Sequence, residues 1–260
     1  MTTAVASAPL ALRFFQRELR NRFQGSFSGG LWALFQPLLQ LAVYSFVFVH
    51  IFKARIPGAD APGYVVFLMT ALWPWTALSE AVLRSTTAIE ENAALIGKVA
   101  LPREVLVLAS VATSFAIHLV GFVVIVLILA AFGNAIQLSG LGVAILLYLP
   151  MFALALGFAL ICAALQVFVR DTVQVLGQLL PLLMFSAPVF YDRSLLPEQF
   201  RGLMDLNPFT FYAEGFRLAL LDYGSFRPWQ CLAALALALV VVLLGRWIFR
   251  RLDPHFEDFL

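Results

Sequence analysis

The chain has 260 residues, 62% hydrophobic and 12% charged, with a formal net charge of +2. Soluble domains carry about 45–50% apolar and ~25% charged residues, and a sphere of this size cannot hide such an apolar excess from water. A soluble enzyme, a nucleic-acid binder and a disordered chain are excluded, the charge is too small for a polyanion partner, and an integral membrane protein remains.

The predicted elements follow in chain order. Residues 9–25 read as an amphipathic helix, with Leu12, Phe15, Leu19 and Phe23 at helical spacing and Arg13, Arg17, Arg20 and Arg22 around the rest of the circumference. Such a helix lies in the membrane interface with its arginines at lipid phosphates, as an anchor or as a contact surface for a partner. About 20 apolar residues span a bilayer core of ~30 Å. Six charge-poor stretches reach that length: 31–52, 63–83, 104–132, 140–169, 172–191 and 229–249. They are apolar throughout, without the alternation of barrel strands, so the predicted fold is an all-α membrane protein with six transmembrane helices.

Between spans two and three, the loop 84–103 is longer than a connector needs. Glu80 and Arg84 are placed for a helical ion pair that closes span two. Residues 86–96 then read as a short helix with Ile89, Leu95 and Ile96 apolar beside Glu90, Glu91 and Asn92. Gly97 is positioned as its C-cap, and Pro102 blocks continuation. The loop is either an idle interfacial helix or a docking knob for a cytoplasmic subunit. Arg170-Asp171 forms a tight charged turn before span five, where Pro181 and Pro188 should bend the helix or end it early. The segment 192–228 predicts two short amphipathic helices. Pro197 starts one through Met204, and Asn207-Pro208 opens another reaching about Asp222. On the second, Phe209, Tyr212, Phe216 and Leu220 lie opposite Glu214 and Arg217, as an aromatic anchor belt or a gate over a pore.

With the N-terminus inside, eleven Lys and Arg residues fall in inside segments; the two short outside loops hold only Lys53 and Arg55, and the longer outside segment 192–228, whose length gives it less weight, adds Arg193, Arg201, Arg217 and Arg227. The positive-inside rule then puts both termini in the cytoplasm. Met1–Leu12 lacks the basic n-region of a cleavable signal. With no internal repeat and no long linker, residues 1–260 read as one domain. Cys162 and Cys231 read as buried structural thiols.

His50, Glu80 and His118 are the only ionisable groups near span interiors, and His118 alone sits about midway along a span, as a packing residue rather than a relay. A phosphate loop is missing, since Gly97-Lys98 is followed by Val99 without the upstream glycine. Active transport would have to be powered by another subunit. A proton-coupled carrier, which would depend on His118, is the rival reading; a membrane-embedded enzyme is disfavoured for want of a polar cluster in the spans.

Arg17-Glu-Leu-Arg20, Gly25-Ser26, Gly30-Leu-Trp32 and Pro37, then Asn92 to Pro102-Arg-Glu104, Arg170-Asp171, Pro188-Val-Phe-Tyr191, and Asn207-Pro208 with Arg217, follow one another along the chain. In this order they resemble the permease subunit of type-2 ABC exporters of polysaccharide: O antigen, capsule and teichoic acid. Ala187 stands where that pattern has Ser. The resemblance implies a channel-forming homodimer in the inner membrane, two cytoplasmic ATPase subunits that bind ATP and Mg, and a lipid-linked polysaccharide as cargo, with O antigen first and capsule or teichoic acid as alternatives. It implies no cofactor and no nucleic acid in this chain. It makes Glu90, Glu91, Asn92, Leu95, Ile96 and Lys98 part of a coupling helix for the ATPase. The helices at 197–204 and 208–222, with Pro197, Asn207, Pro208, Tyr212, Phe216 and Arg217, become external gate helices.

Overall fold

A computed structural model describes residues 2–23, 29–53, 61–97, 101–224 and 228–260, and among them every regular element is helical. Helix α1 is Thr2–Phe23 and α2 is Gly29–Phe46, continued by a π-helical turn at Val47–Ile51. Helix α3 (Ala61–Thr86) leads through a short 3-10 turn to α4 (Ala93–Ile96). Helices α5 (Glu104–Ala131), α6 (Leu141–Phe168) and α7 (Thr172–Ser186) follow. Helices α8 (Glu198–Asp205) and α9 (Phe209–Leu221) precede α10 (Pro228–Leu252) and a closing 3-10 segment, Asp253–Asp258.

Four of these stretches are long and apolar enough to cross a membrane: Gly63–Thr86, Glu104–Ala131, Leu138–Phe168 and Trp229–Asp258. The expected first and fifth spans are shorter apolar helices, Phe35–Ile51 and Thr172–Ser186. The second of these ends early for a local reason. Pro188 disfavours the α conformation at the residue before it, and Ala187 is extended (φ −95°, ψ 157°).

Helix α3 is the centre of the bundle. Within its most apolar window 78% of the residues are buried inside the chain, against 28% for α10, whose remaining surface is left for lipid. Helices α3, α5, α6 and α9 share an aromatic core in which Phe216 meets Phe122 and Tyr148 at ring separations of 5.5 and 5.4 Å. Helix α10 joins the bundle through a glycine crossing. A Cβ on Gly157 would lie 2.6 Å from the Val241 carbonyl, and one on Gly245 would lie 2.4 Å from the Gly157 oxygen. Small residues permit such backbone contact between apolar helices, where no hydrophobic force draws them together.

Side-chain ties define the two ends. At the near end, Arg103 donates to the Asp253 carbonyl at 2.6 Å and pairs with Asp253 and Glu257, while Glu104 holds Arg246 at 3.1 Å and Arg250 at 2.6 Å. Phe256 is buried between Phe168 and Phe249. Helix α1 also belongs to this end, so both described termini lie on one side of the bundle.

Candidate functional site

At the near end the 84–103 loop departs from its predicted form. One helix was expected over 86–96; instead α3 runs to Thr86, a 3-10 turn covers Glu90–Asn92, and only Ala93–Ile96 is α-helical. Asn92 causes the break. Its Nδ2 donates to the Ala88 carbonyl at 2.9 Å and its Oδ1 accepts from Arg17 Nη2, holding the residue at φ −109°, ψ 14°. Asn side chains compete with the helix backbone in this way. Gly97 is the C-cap expected of it, right-handed (φ −71°), with its N–H donating to the Ala93 carbonyl at 3.2 Å. Ile89 and Ile96 anchor the loop in the core, Leu95 and Glu90 are half-buried, and Glu91 is exposed, accepting from Thr87 Oγ1 at 2.7 Å. Lys98 lies outside the described residues, as do Gly25 and Ser26.

A residue that the sequence did not single out fastens this loop to the charged turn. Gln166, buried in α6, donates to Glu90 Oε2 and to the Arg170 carbonyl, each at 3.1 Å, and accepts from the Val173 N–H at 2.9 Å. An amide inside a long apolar helix was the available signal. Arg170 and Asp171 themselves are exposed.

Helix α1 was expected to turn its arginines to lipid phosphates. Arg13 and Arg20 are exposed, but Arg17 and Arg22 turn into the protein. Arg17 reaches Asn92 and packs 4.7 Å over the Phe14 ring. Arg22 pairs with Glu80 and donates to Ser114 Oγ at 3.2 Å. The predicted Glu80–Arg84 pair is therefore replaced: Glu80 takes Arg22, and Arg84 faces Glu18 across 3.8 Å. His118 is not isolated either. Its Nε2 is 2.6 Å from Glu80 Oε2, and its carbonyl accepts from Trp73 Nε1 at 3.0 Å. A half-buried carboxylate at the edge of an apolar bundle takes up whatever cation or hydrogen-bond donor can reach it, since an unpaired charge there is costly. The antiparallel α3 and α5 bring His118 to Glu80, and α1 alongside α5 delivers Arg22.

At the far end Asn207 performs the predicted capping. Its Oδ1 accepts from the Phe209 N–H at 2.9 Å, while Nδ2 donates to the Leu183 carbonyl at 2.7 Å and Ser186 Oγ at 2.8 Å, tying the start of α9 to the end of α7. Pro197 is exposed just ahead of α8. The two faces of α9 are not divided as expected. Tyr212 and Phe216 are buried in the core, and Arg217, placed on the polar face, is only 2% exposed. Its guanidinium lies 3.3 Å over the Phe67 ring and donates to the Val189 carbonyl at 3.0 Å. Helix α9 packs against both α3 and α6, and Phe67 of α3 covers Arg217.

The donors satisfy a backbone need. After α7 the chain is non-helical through Pro188–Tyr191, and buried carbonyls freed from a helix require partners. Arg217 serves Val189, and the Tyr64 hydroxyl serves Phe190 at 2.9 Å. Burial lowers the Arg217 pKa to about 9, against the pull of Asp192 and Glu214, so it remains a cation at neutral pH. Burial also lifts the Glu214 carboxyl above its ordinary range, opposed by Arg193. Arg193 bonds Asp205 at 2.6 Å and reaches Glu214 at 3.8 Å. Between this group, α9 and the start of α10 lies a cleft of about 610 Å³.

Residues 11–221, from α1 to the last residue of α9, match the model of the ABC-2 type transporter family. The chain belongs to that family. An O-antigen export system permease protein, RfbA of Klebsiella pneumoniae, is 26% identical over 244 residues, covering 94% of this chain and 92% of its own. RfbA of Myxococcus xanthus is 30% identical over 237 residues, 89% of this chain and 88% of its own. The polysialic acid transport protein KpsM of Escherichia coli is 25% identical over 237 residues, 91% and 90% of the two chains. As an ABC-2 type transporter with these apolar helices, the chain is a multi-pass membrane protein of a family of transport subunits rather than enzymes.

Proposed function

We propose that this ABC-2 type transporter is the channel-forming permease of an ATP-driven exporter of lipid-linked polysaccharide, with O antigen as the first candidate cargo and capsular polysaccharide or teichoic acid as the alternatives. The observation that carries this reading is similarity to O-antigen export permeases over 89–94% of this chain and 88–92% of theirs. The near end is cytoplasmic, with both termini there, and the membrane is the inner one. Helices α2 and α7 complete six spans, and two copies enclose the path. Two partner ATPases supply ATP and Mg, and each docks on the 87–97 loop through Glu90, Glu91, Asn92 and Leu95, with buried Ile96 holding the loop in place rather than touching the partner. Helices α8 and α9 act as the outer gate. The geometry supports this assignment of the loop: it is pinned by Arg17 on one side and Gln166 on the other, so a push on it moves α1 and α6 together.

Co-expression with the cognate ATPase tests the docking. Glu91→Arg with Leu95→Asp should abolish co-purification while the permease still elutes as a folded species, and undiminished co-purification would refute the assignment. Expression with that ATPase in a host lacking its own O-antigen permease should restore surface polysaccharide; continued absence of the polymer, with both subunits present and assembled, would refute the cargo. With Cys162 and Cys231 replaced, Gln199→Cys should label from outside and Ala93→Cys from inside.

A further inference from the structure

We propose that the far-end cleft between α9 and the start of α10 is a saccharide-binding site that holds one or two neutral sugar units; this rests on the polysaccharide reading above. Its volume of about 610 Å³ falls within the ~300–1,000 Å³ of small-molecule sites.

The lining selects the class of ligand. Arg217 and Arg193 contribute positive charge, and Asp192, Asp205 and Glu214 contribute negative charge, within one cleft. An anion would meet three carboxylates, a cation two guanidinium groups, and an aliphatic chain would strip water from all five. Hydroxyl groups both donate and accept, so a polyol can satisfy carboxylates and guanidiniums together without adding net charge. The Arg193 ion pairs with Asp205 at 2.6 Å and Glu214 at 3.8 Å hold these acceptors in place on the cleft wall. Arg217 also lines the cleft; it is 2% exposed and its guanidinium is held by the Val189 carbonyl and the Phe67 ring, so it contributes charge rather than a free donor.

The opposite wall supplies the second element of sugar recognition. Trp229 lines the cleft with 59% of its surface exposed, and an indole face accepts the C–H face of a pyranose ring without reading its linkage. Ala233, Ala234 and Leu237 extend that wall as a low apolar surface. A platform facing a mixed-charge wall suits a repeating neutral polymer, because each sugar offers the same two kinds of surface.

The test uses the full-length chain in phosphatidylcholine nanodiscs, titrated with galactose, mannose and N-acetylglucosamine and followed by saturation-transfer NMR and tryptophan fluorescence. At least one sugar should bind saturably in the millimolar range. Trp229→Ala, which removes an exposed side chain, and Glu214→Gln should each weaken binding at least tenfold, while Trp247→Ala, at the other end of α10, should leave it unchanged. Binding of none of the sugars, binding indifferent to Trp229→Ala and Glu214→Gln, or displacement of the sugar by glycerol phosphate as a lipid headgroup mimic would each overturn the proposal. Because the titration needs neither ATP nor the ATPase, export of polymer without sugar binding would remove the cleft assignment alone, and sugar binding without export would remove the transport reading alone.

Discussion

The glycine crossing of α6 and α10 gives a quantitative test of how this bundle is held. Gly157→Ala puts a methyl group 2.6 Å from the Val241 carbonyl carbon and oxygen and 2.7 Å from Val241 Cγ1, where ordinary contact begins at 3.4 Å. Two of those atoms are backbone, so a rotamer change cannot relieve the clash and the helices must separate by about 0.8 Å. A gap of that size forfeits roughly a quarter to a half of each dispersion contact along the seam. Overpacking of this kind costs about 1–3 kcal/mol. Gly245→Ala, with its Cβ 2.4 Å from the Gly157 oxygen, should cost a similar amount. The double variant should lose less than the sum by at least ~0.5 kcal/mol, since the first methyl opens the space the second needs. Gly177→Ala is the control: on exposed α7 its Cβ meets nothing within 4 Å, and it should be neutral or stabilising by about 0.5–1 kcal/mol. Thermal unfolding in detergent, read by tryptophan fluorescence and by the monodisperse fraction, measures all four. Equal melting of Gly157→Ala and Gly177→Ala, or full additivity of the double variant, would refute the crossing as the seam of the bundle.

Four further outcomes are expected. Asn207→Ala strips donors from the Leu183 carbonyl and Ser186 Oγ and an acceptor from the Phe209 N–H, and should lower stability by about 1–3 kcal/mol in a thermal melt while slowing export. Glu80→Ala leaves Arg22 and His118 without their carboxylate and should destabilise by several times more than the double variant Glu80→Met with Arg22→Met, which removes both charges; equal losses would show that the pair is not coupled. Export coupled to ATP should survive collapse of the proton gradient even though Glu80 touches His118, whereas a proton-coupled carrier would stop. Burial works against the Asp192 carboxylate, but Ser194, Tyr223 and Arg217 outweigh it and hold its pKa below the ordinary 3.8. Its contribution to stability is therefore complete above that value and lost as pH falls through the lower folded value. Asp192→Asn should flatten the acid limb of a melting profile taken from pH 5 to pH 2.

The helical elements were legible because their causes are local. Apolar runs bounded by Arg84, Arg103, Arg170 and Arg246 set the long helices of the bundle to within a few residues. Pro188 stopped α7, and Asn207-Pro208 opened α9. The positive arginines on α1 were legible as well, but where each one goes was not. Arg17 and Arg22 are similar in sequence to Arg13 and Arg20, and only the presence of Asn92 and Glu80 beside them separates the two pairs.

Sequence alone determined the solvent of this protein, the apolar stretches that meet it, and the places where helices stop, since each depends on residues within a turn or two. The tertiary structure decided which charges are partnered. Glu80 had a candidate in Arg84, one turn away, yet takes Arg22, 58 positions back in the chain, because α1 is laid against α5. Arg217 sat on what periodicity marked as a polar face, yet it is buried, because Phe67 of α3 packs over it. Hydropathy reports what one helix can bury; which surfaces it does bury depends on neighbours that only the packed bundle brings into place.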